Sequence, residues 1–197
     1  MLPWGHLAFG YICYTALIHL RHRHSPRDGP TLLLILGTQL PDLVDKPLNW
    51  WFGILDGRGI GHSLFVIVPI SVLVVVVADR YDRTAYGAAF SIGLVTHLAG
   101  DVLPAAIGGD IWKAGYLLWP LLPAPTYQSD SFWDHLDRWV ATVSSFEPGS
   151  AVSFVQSAFA LQLLLTLLLL VVWAGDGFPG LQWSYRWLRG RIVTTDR

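Results

Sequence analysis

At 197 residues, 53% hydrophobic and only 14% charged, this chain has the length of one domain and the composition of a membrane protein, since a typical soluble protein is about 25% charged. Its formal net charge of −1 excludes bulk electrostatic attraction to nucleic acid, and no nucleic-acid partner is expected. The single cysteine, Cys13, excludes an intrachain disulfide and a cysteine-rich zinc knuckle.

Trp4 to Leu20 is a first apolar segment, interrupted by His6 near its start. No basic stretch precedes it and arginines follow it, which argues against a secretory signal. Arg21, Arg23 and Arg27, with His22 and His24 between them, form a basic loop that ends in the turn chemistry of Asp28-Gly29-Pro30. Positive-inside charge accounts for this cluster more simply than lipid-phosphate binding does. Thr31 to Leu40 is apolar but short of the ~20 residues of a full span. Pro41 and Pro47 are expected to bracket irregular backbone, which at membrane depth is tolerated only where it is buried in protein or lines a cavity. Trp50, Trp51 and Phe52 read as an interfacial anchor.

A glycine-rich connection, Gly57 to Gly61, delivers His62 and Ser63 to the mouth of the next apolar run, Leu64 to Ala78, which Asp79 to Arg83 closes. Ala85 to Ile107 reads as a membrane helix that breaks at Pro104 and at Gly108-Gly109. It carries His97 and Asp101, four residues apart and so on one face. Ile111 to Leu122 is a second short apolar piece, a re-entrant segment or half of a span. Pro123 to Gly149 is the most polar stretch, expected to be an extramembrane loop with one short amphipathic helix, and His135 is expected to be a loop residue. Ala151 to Ala174 is the cleanest span, with Gln156 and Gln162 placed to hydrogen-bond across helices. A basic tail follows, with Arg186, Arg189, Arg191 and Arg197.

The expected fold class is all-α, a polytopic integral membrane bundle of about four to six apolar segments, some of them short or re-entrant. It forms one membrane-embedded domain, with a motif-bearing core over 4–123, a polar loop over 123–150, a final span over 151–174 and the tail over 175–197. If the spans alternate, nine of the thirteen basic residues fall on one side, with Lys46, Arg58, Lys113 and Arg138 on the other. The positive-inside rule makes the nine-residue side cytoplasmic, in a multi-pass protein of the inner or plasma membrane.

The same alternation gathers His6, Asp42, Asp45, His62, His97 and Asp101 toward the opposite face. Ionisable residues in hydrocarbon persist where they pair, line a polar cavity or bind an ion. Three imidazoles and three carboxylates without a thiolate suit zinc first, with manganese or iron as alternatives. The set is large for one tetrahedral ion with an open position, so two ions, or one ion with supporting carboxylates, are expected. Such a site would activate a water near pKa ~7 and cut a phosphoester, with Arg58 either a fixed fork for phosphoryl oxygens or a loop arginine that caps carbonyls. Asp45 and Arg58 are the candidate catalytic residues. Asp45 could instead orient a ligand or pair with Lys46.

His6-Leu-Ala-Phe-Gly10, Pro41-Asp-Leu-Val-Asp45, Arg58-Gly-Ile-Gly-His62-Ser63 and His97-Leu-Ala-Gly-Asp101, in that order, resemble the membrane-bound metal-dependent hydrolases, also described as LexA-binding, inner-membrane-associated hydrolases. The likeness runs from about residue 4 to Leu118-Trp119-Pro120. The order also looks, more remotely, like the metal core of zinc-dependent phospholipase C and the related single-strand nucleases. That likeness implies an all-helical fold, with Asp42, His62, His97 and Asp101 around one ion and with His6 and Asp101 reaching a second. Two departures stand out: glycines at 57 and 61 replace the His and Thr frequent in the family, and no counterpart exists for the phospholipases' further His and Glu ligands. His135 and Glu147 have the wrong spacing, so a third ion is not expected. The expected function is therefore metal-dependent hydrolysis of a phosphoester, with a phospholipid or other lipid-linked phosphoester as substrate. The competing classes are a transporter or ion path, and a non-catalytic membrane adaptor with a structural metal.

Overall fold

The computed structural model describes residues 1–54, 57–123, 131–144, 158–181 and 185, and among them it is helical with no strand. Helix α1 (Pro3–His22) begins with proline at its first position, where a missing N–H costs nothing. It ends at Arg23 in the left-handed conformation, φ 57°. Helix α2 (Asp28–Trp50) follows, and then a 3-10 turn (Ile60–His62). Ser63 caps α3 (Leu64–Arg80) by accepting a hydrogen bond from the Phe65 N–H. After α4 (Thr84–Ile107) come a 3-10 helix (Ile111–Leu118), α5 (Phe132–Ser144) and α6 (Ala158–Gly175).

Helix α4 is the centre of the bundle. It packs against α1, α2, α3 and the second 3-10 helix, while α6 packs on α1. The α2–α4 crossing is close because glycine sits on both sides of it. A Cβ on Gly37 would run into the Phe90 carbonyl oxygen, and one on Gly93 would lie 2.5 Å from the Leu34 carbonyl oxygen. Small residues at such crossings let two backbones approach, which is how helices associate when the surroundings are as apolar as their side chains.

Polarity is distributed inside out. Apart from Ile67, the described apolar residues of α3 are at least partly exposed; Phe65, Val68, Val72 and Leu73 are each more than half exposed. The exposed residues of α6 include Leu164, Leu167 and Val171. His6, Thr38, Asp45, His62, His97 and Asp101 are buried. A chain in water would leave such apolar faces uncovered only at an interaction surface. Among the described residues one helix, α4, is long and apolar enough to cross a membrane by its length and composition alone. Two apolar clusters flank the buried polar groups. One contains Tyr11, Tyr14, Leu34 and Ala89, the other Ile67, Phe90, Leu94 and Leu98.

The structure departs from the sequence expectation in α2. The 41–47 stretch is not irregular backbone, because the helix continues through Pro41 and Pro47 to Trp50. Pro41 withholds a ladder N–H from the Gly37 carbonyl, and the next carbonyl, that of Thr38, accepts from His97 Nδ1 of α4 at 2.7 Å. His135, expected in a loop, falls within α5, the one short amphipathic helix anticipated there. Gln162 accepts from the Leu2 N–H and so ties α6 to the start of α1. Gln156, Glu147 and the arginines of the tail lie outside the described residues.

Candidate metal centre

The start of α1, the end of α2, the turn before α3 and the second half of α4 meet at one end of the bundle. His6, Asp42, His62, His97 and Asp101 converge there, and every one of these side chains is at least 85% buried. His62 Nε2 lies 3.1 Å from His97 Nε2. Asp101 Oδ2 lies 3.4 Å from His62 Nε2 and 3.9 Å from His97 Nε2, and Asp42 Oδ1 lies 3.7 and 3.9 Å from the same two nitrogens. The His6 and His97 rings stack, with centroids 3.8 Å apart. Ligand atoms of His62, His97 and Asp101 lie within 4.8 Å of one another, as do those of His6, Asp42 and His97, so His97 belongs to two overlapping triads.

The tautomers follow from the partners. His62 Nδ1 is 2.7 Å from Asp45 Oδ2, and His97 Nδ1 is 2.7 Å from the Thr38 carbonyl oxygen. Both partners are acceptors, so both Nδ1 atoms carry the proton and both Nε2 atoms of the neutral rings present lone pairs. Two lone pairs facing each other across 3.1 Å repel unless a cation or a proton lies between or beside them. His6 adds a third imidazole whose ring nitrogens are buried without a hydrogen bond, although its Nε2 is 3.3 Å from Asp101 Oδ1. A divalent ion fits this donor set. Three imidazole nitrogens and two carboxylates offer unprotonated ligand atoms, and the far nitrogens of two rings are held as they are in metal-ligating histidines.

Asp45 is not among the converging ligand atoms. It sits behind His62, fully buried, and accepts from the Gly59 N–H, the Gly61 N–H and His62 Nδ1, each at 2.7 Å. Both Asp45 oxygens are thus taken up by these three donors, and the carboxylate holds the His62 ring from behind. Lys46 pairs with Asp42 instead, Nζ to Oδ2 at 2.6 Å. Gly61 must be glycine for lack of room, since a Cβ there would lie 2.5 Å from the Pro41 carbonyl oxygen.

Positive charge gathers on the carboxylates. Arg58 donates to Asp101 Oδ2 at 2.9 Å and the Met1 α-amino group to Asp101 Oδ1 at 2.6 Å. Arg58 keeps about a quarter of its side chain exposed. Its guanidinium carbon lies 4.9 Å from the centre of the Tyr116 ring, at cation–π distance. The same ring stands edge-on to His62, with centroids 5.9 Å apart. Sequence reasoning missed Tyr116, because it lies in a run read only as a short apolar piece. It also missed the Thr38 carbonyl, which no side-chain pattern can reveal.

An all-helical chain with an apolar exterior and a buried histidine–aspartate cluster at one end of the bundle belongs among the membrane proteins. The family model described as "YdjM inner membrane protein" matches residues 1–177, and the chain belongs to that family. No curated protein and no solved structure matches it.

Proposed function

We propose that this protein is a multi-pass, metal-dependent hydrolase of phosphoesters, with a divalent ion, zinc in the first instance, held by His6, Asp42, His62, His97 and Asp101. The observation that carries this reading is the convergence of the His62 and His97 Nε2 atoms, 3.1 Å apart, with Asp42, Asp101 and His6 into two overlapping triads whose ligand atoms lie within 4.8 Å of one another. A bound ion of this kind supplies Lewis acidity and lowers the pKa of water. In the overall reaction water adds across a phosphorus–oxygen bond, its hydroxyl going to phosphorus and its proton to the departing alkoxide.

The chain's own residues have separable tasks. Asp45 fixes the ring plane and tautomer of His62, and the Thr38 carbonyl does the same for His97. Arg58, about a quarter exposed and backed by Tyr116, would bind phosphoryl oxygens through two parallel N–H donors. The buried walls exclude bulk water from the carboxylates and so strengthen their hold on positive charge.

In the same reading α1 to α4 cross the bilayer in alternating directions. The loops bearing Arg21, Arg23, Arg27, Arg80 and Arg83 are cytoplasmic and the cluster faces outward. Cysteine labelling from outside cells at position 129 but not at position 25 is the expected result, and the reverse pattern would invert the assignment.

Metal analysis of the full-length purified protein, with bis(p-nitrophenyl) phosphate turnover measured after zinc or manganese supplementation, tests the enzymatic reading. His97→Ala should lose ion and turnover together while still inserting into the membrane, because alanine is at least as welcome as histidine in an apolar helix. A well-folded wild-type protein that holds no ion after supplementation would refute it.

A further inference from the structure

An apolar cavity of about 560 Å³ lies beside the cluster, between the second half of α2 and the start of α5. That volume falls within the roughly 300–1,000 Å³ of small-molecule sites. Its lining is uneven. Gln39, Asp42 and Lys46 contribute polar groups, whereas Leu43, Trp50, Phe132 and Leu136 offer only apolar or aromatic surface. Asp42 lines the cavity's polar end and also belongs to the histidine cluster, its Oδ1 lying 3.7 Å from His62 Nε2. Along α2 the wall runs from Asp42 to Trp50, eight residues or about 12 Å of helix. Phe132 of α5 stands edge-on against Trp50, with centroids 5.9 Å apart, which docks α5 as the far wall. The comparable hollow between α3 and α4, about 480 Å³, touches Ile67, Val72 and Leu98 but no charged group, and has no such polar end.

We infer that the cavity between α2 and α5 is a subsite for the hydrocarbon chain of an amphiphilic phosphoester whose head lies at Asp42 and Lys46. The inference deepens the hydrolase reading and rests on it for the position of the scissile bond. A site whose polar groups lie between Gln39 and Lys46, and whose next helical turn, about 6 Å to Trp50, is apolar and faces Phe132 and Leu136, matches a molecule divided in the same way. Lys46, ion-paired with Asp42 at 2.6 Å, stands at the junction where an anionic headgroup would begin. An occupant polar along its length would leave its groups unpaired against Leu43, Trp50 and Leu136, which disfavours it.

Two measurements on the full-length protein in nanodiscs test this. The first compares turnover of p-nitrophenyl methyl phosphate with that of p-nitrophenyl hexadecyl phosphate. Apolar burial of the chain predicts at least a roughly tenfold higher kcat/KM for the hexadecyl ester, and Leu43→Trp, which fills the cavity, should erase the advantage. Val72→Trp, in the hollow between α3 and α4, should leave the ratio as it is. The second is photolabelling with a diazirine-bearing hexadecyl phosphate, read by peptide mapping, with and without chelator. Label should concentrate on residues 42–51 and 131–137 in both conditions. Turnover of neither ester, with label still concentrated there, would defeat the hydrolase reading and support the chain subsite. Equal turnover of the two esters, or label spread over α3 and α6 in the manner of bulk lipid, would overturn the subsite.

Discussion

Asp45→Asn is the sharpest perturbation of the site that touches none of its converging ligand atoms. The wild-type carboxylate has two oxygens and three donors at 2.7 Å, with Oδ2 serving Gly59 N–H and His62 Nδ1–H and Oδ1 serving Gly61 N–H. Asparagine keeps one acceptor oxygen. Placed where Oδ2 was, it serves two donors but sets its NH₂ against the Gly61 N–H. Placed the other way, the NH₂ confronts the Gly59 N–H and can meet His62 only if the ring proton moves to Nε2, which removes a lone pair from the cluster. Losing one hydrogen bond to a buried charge costs about 1.5–3 kcal/mol and the stranded donor about 1–3 more, so about 3–5 kcal/mol of stability should disappear. Zinc affinity should fall about 10–100-fold, the usual consequence of removing a group that orients a ligand. Thermal unfolding in detergent reads the first effect, and competition with a chromophoric chelator reads the second. Wild-type values of both would refute the hydrogen-bond assignment. A loss of stability with unchanged zinc affinity would refute the claim that Asp45 positions a ligand.

Three further outcomes are expected. Arg58→Lys should retain bound metal and lose activity in part, because lysine keeps the charge but neither the fork nor the flat face on Tyr116; metal content and turnover measured on one preparation check this. Gly37→Ala should destabilise the α2–α4 crossing by about 1–3 kcal/mol, read by denaturation in detergent, since the Phe90 backbone carbonyl blocks the new methyl. At the other end of α1, Asp176 accepts from Tyr11, Thr15 and His19 at 2.8, 2.6 and 2.7 Å. Burial pushes its pKa up, but the bonds from Thr15, His19 and Tyr11 outweigh that and hold it below the ordinary carboxylate value. A lowered folded pKa gives stability that is present above the unfolded value near about 4 and is lost as pH falls through the folded value. Asp176→Asn should therefore destabilise at pH 7, and a pH series of melting curves should show the difference from wild type shrinking below about pH 4.

Several features of the architecture were legible in one dimension. Apolar runs located α1, α3, α4 and α6, because a segment that must satisfy its backbone without water has to be helical. The i, i+4 spacing of His97 and Asp101 put both on one face of α4, and their positions near segment ends, like those of His6, Asp42 and His62, already placed them at one end of an alternating bundle. Composition and the order of the motifs pointed to a membrane family before any coordinates.

What only the tertiary structure decided is which groups answer each other across helices. Proline propensity marks 41–47 as a break, yet α2 continues through both prolines to Trp50, and its Thr38 carbonyl meets His97 of α4, 59 residues away in sequence. Asp45 and Asp42 look interchangeable in Pro41-Asp-Leu-Val-Asp45. Helical geometry sends one toward Lys46 and the cluster and the other behind His62, where three donors wait for it. Tyr116 gains its place only when the second 3-10 helix folds against α4 and its ring comes under Arg58. Periodicity and composition act over a few residues of chain, whereas the direction of a lone pair is set by whichever acceptor another helix brings within hydrogen-bond reach.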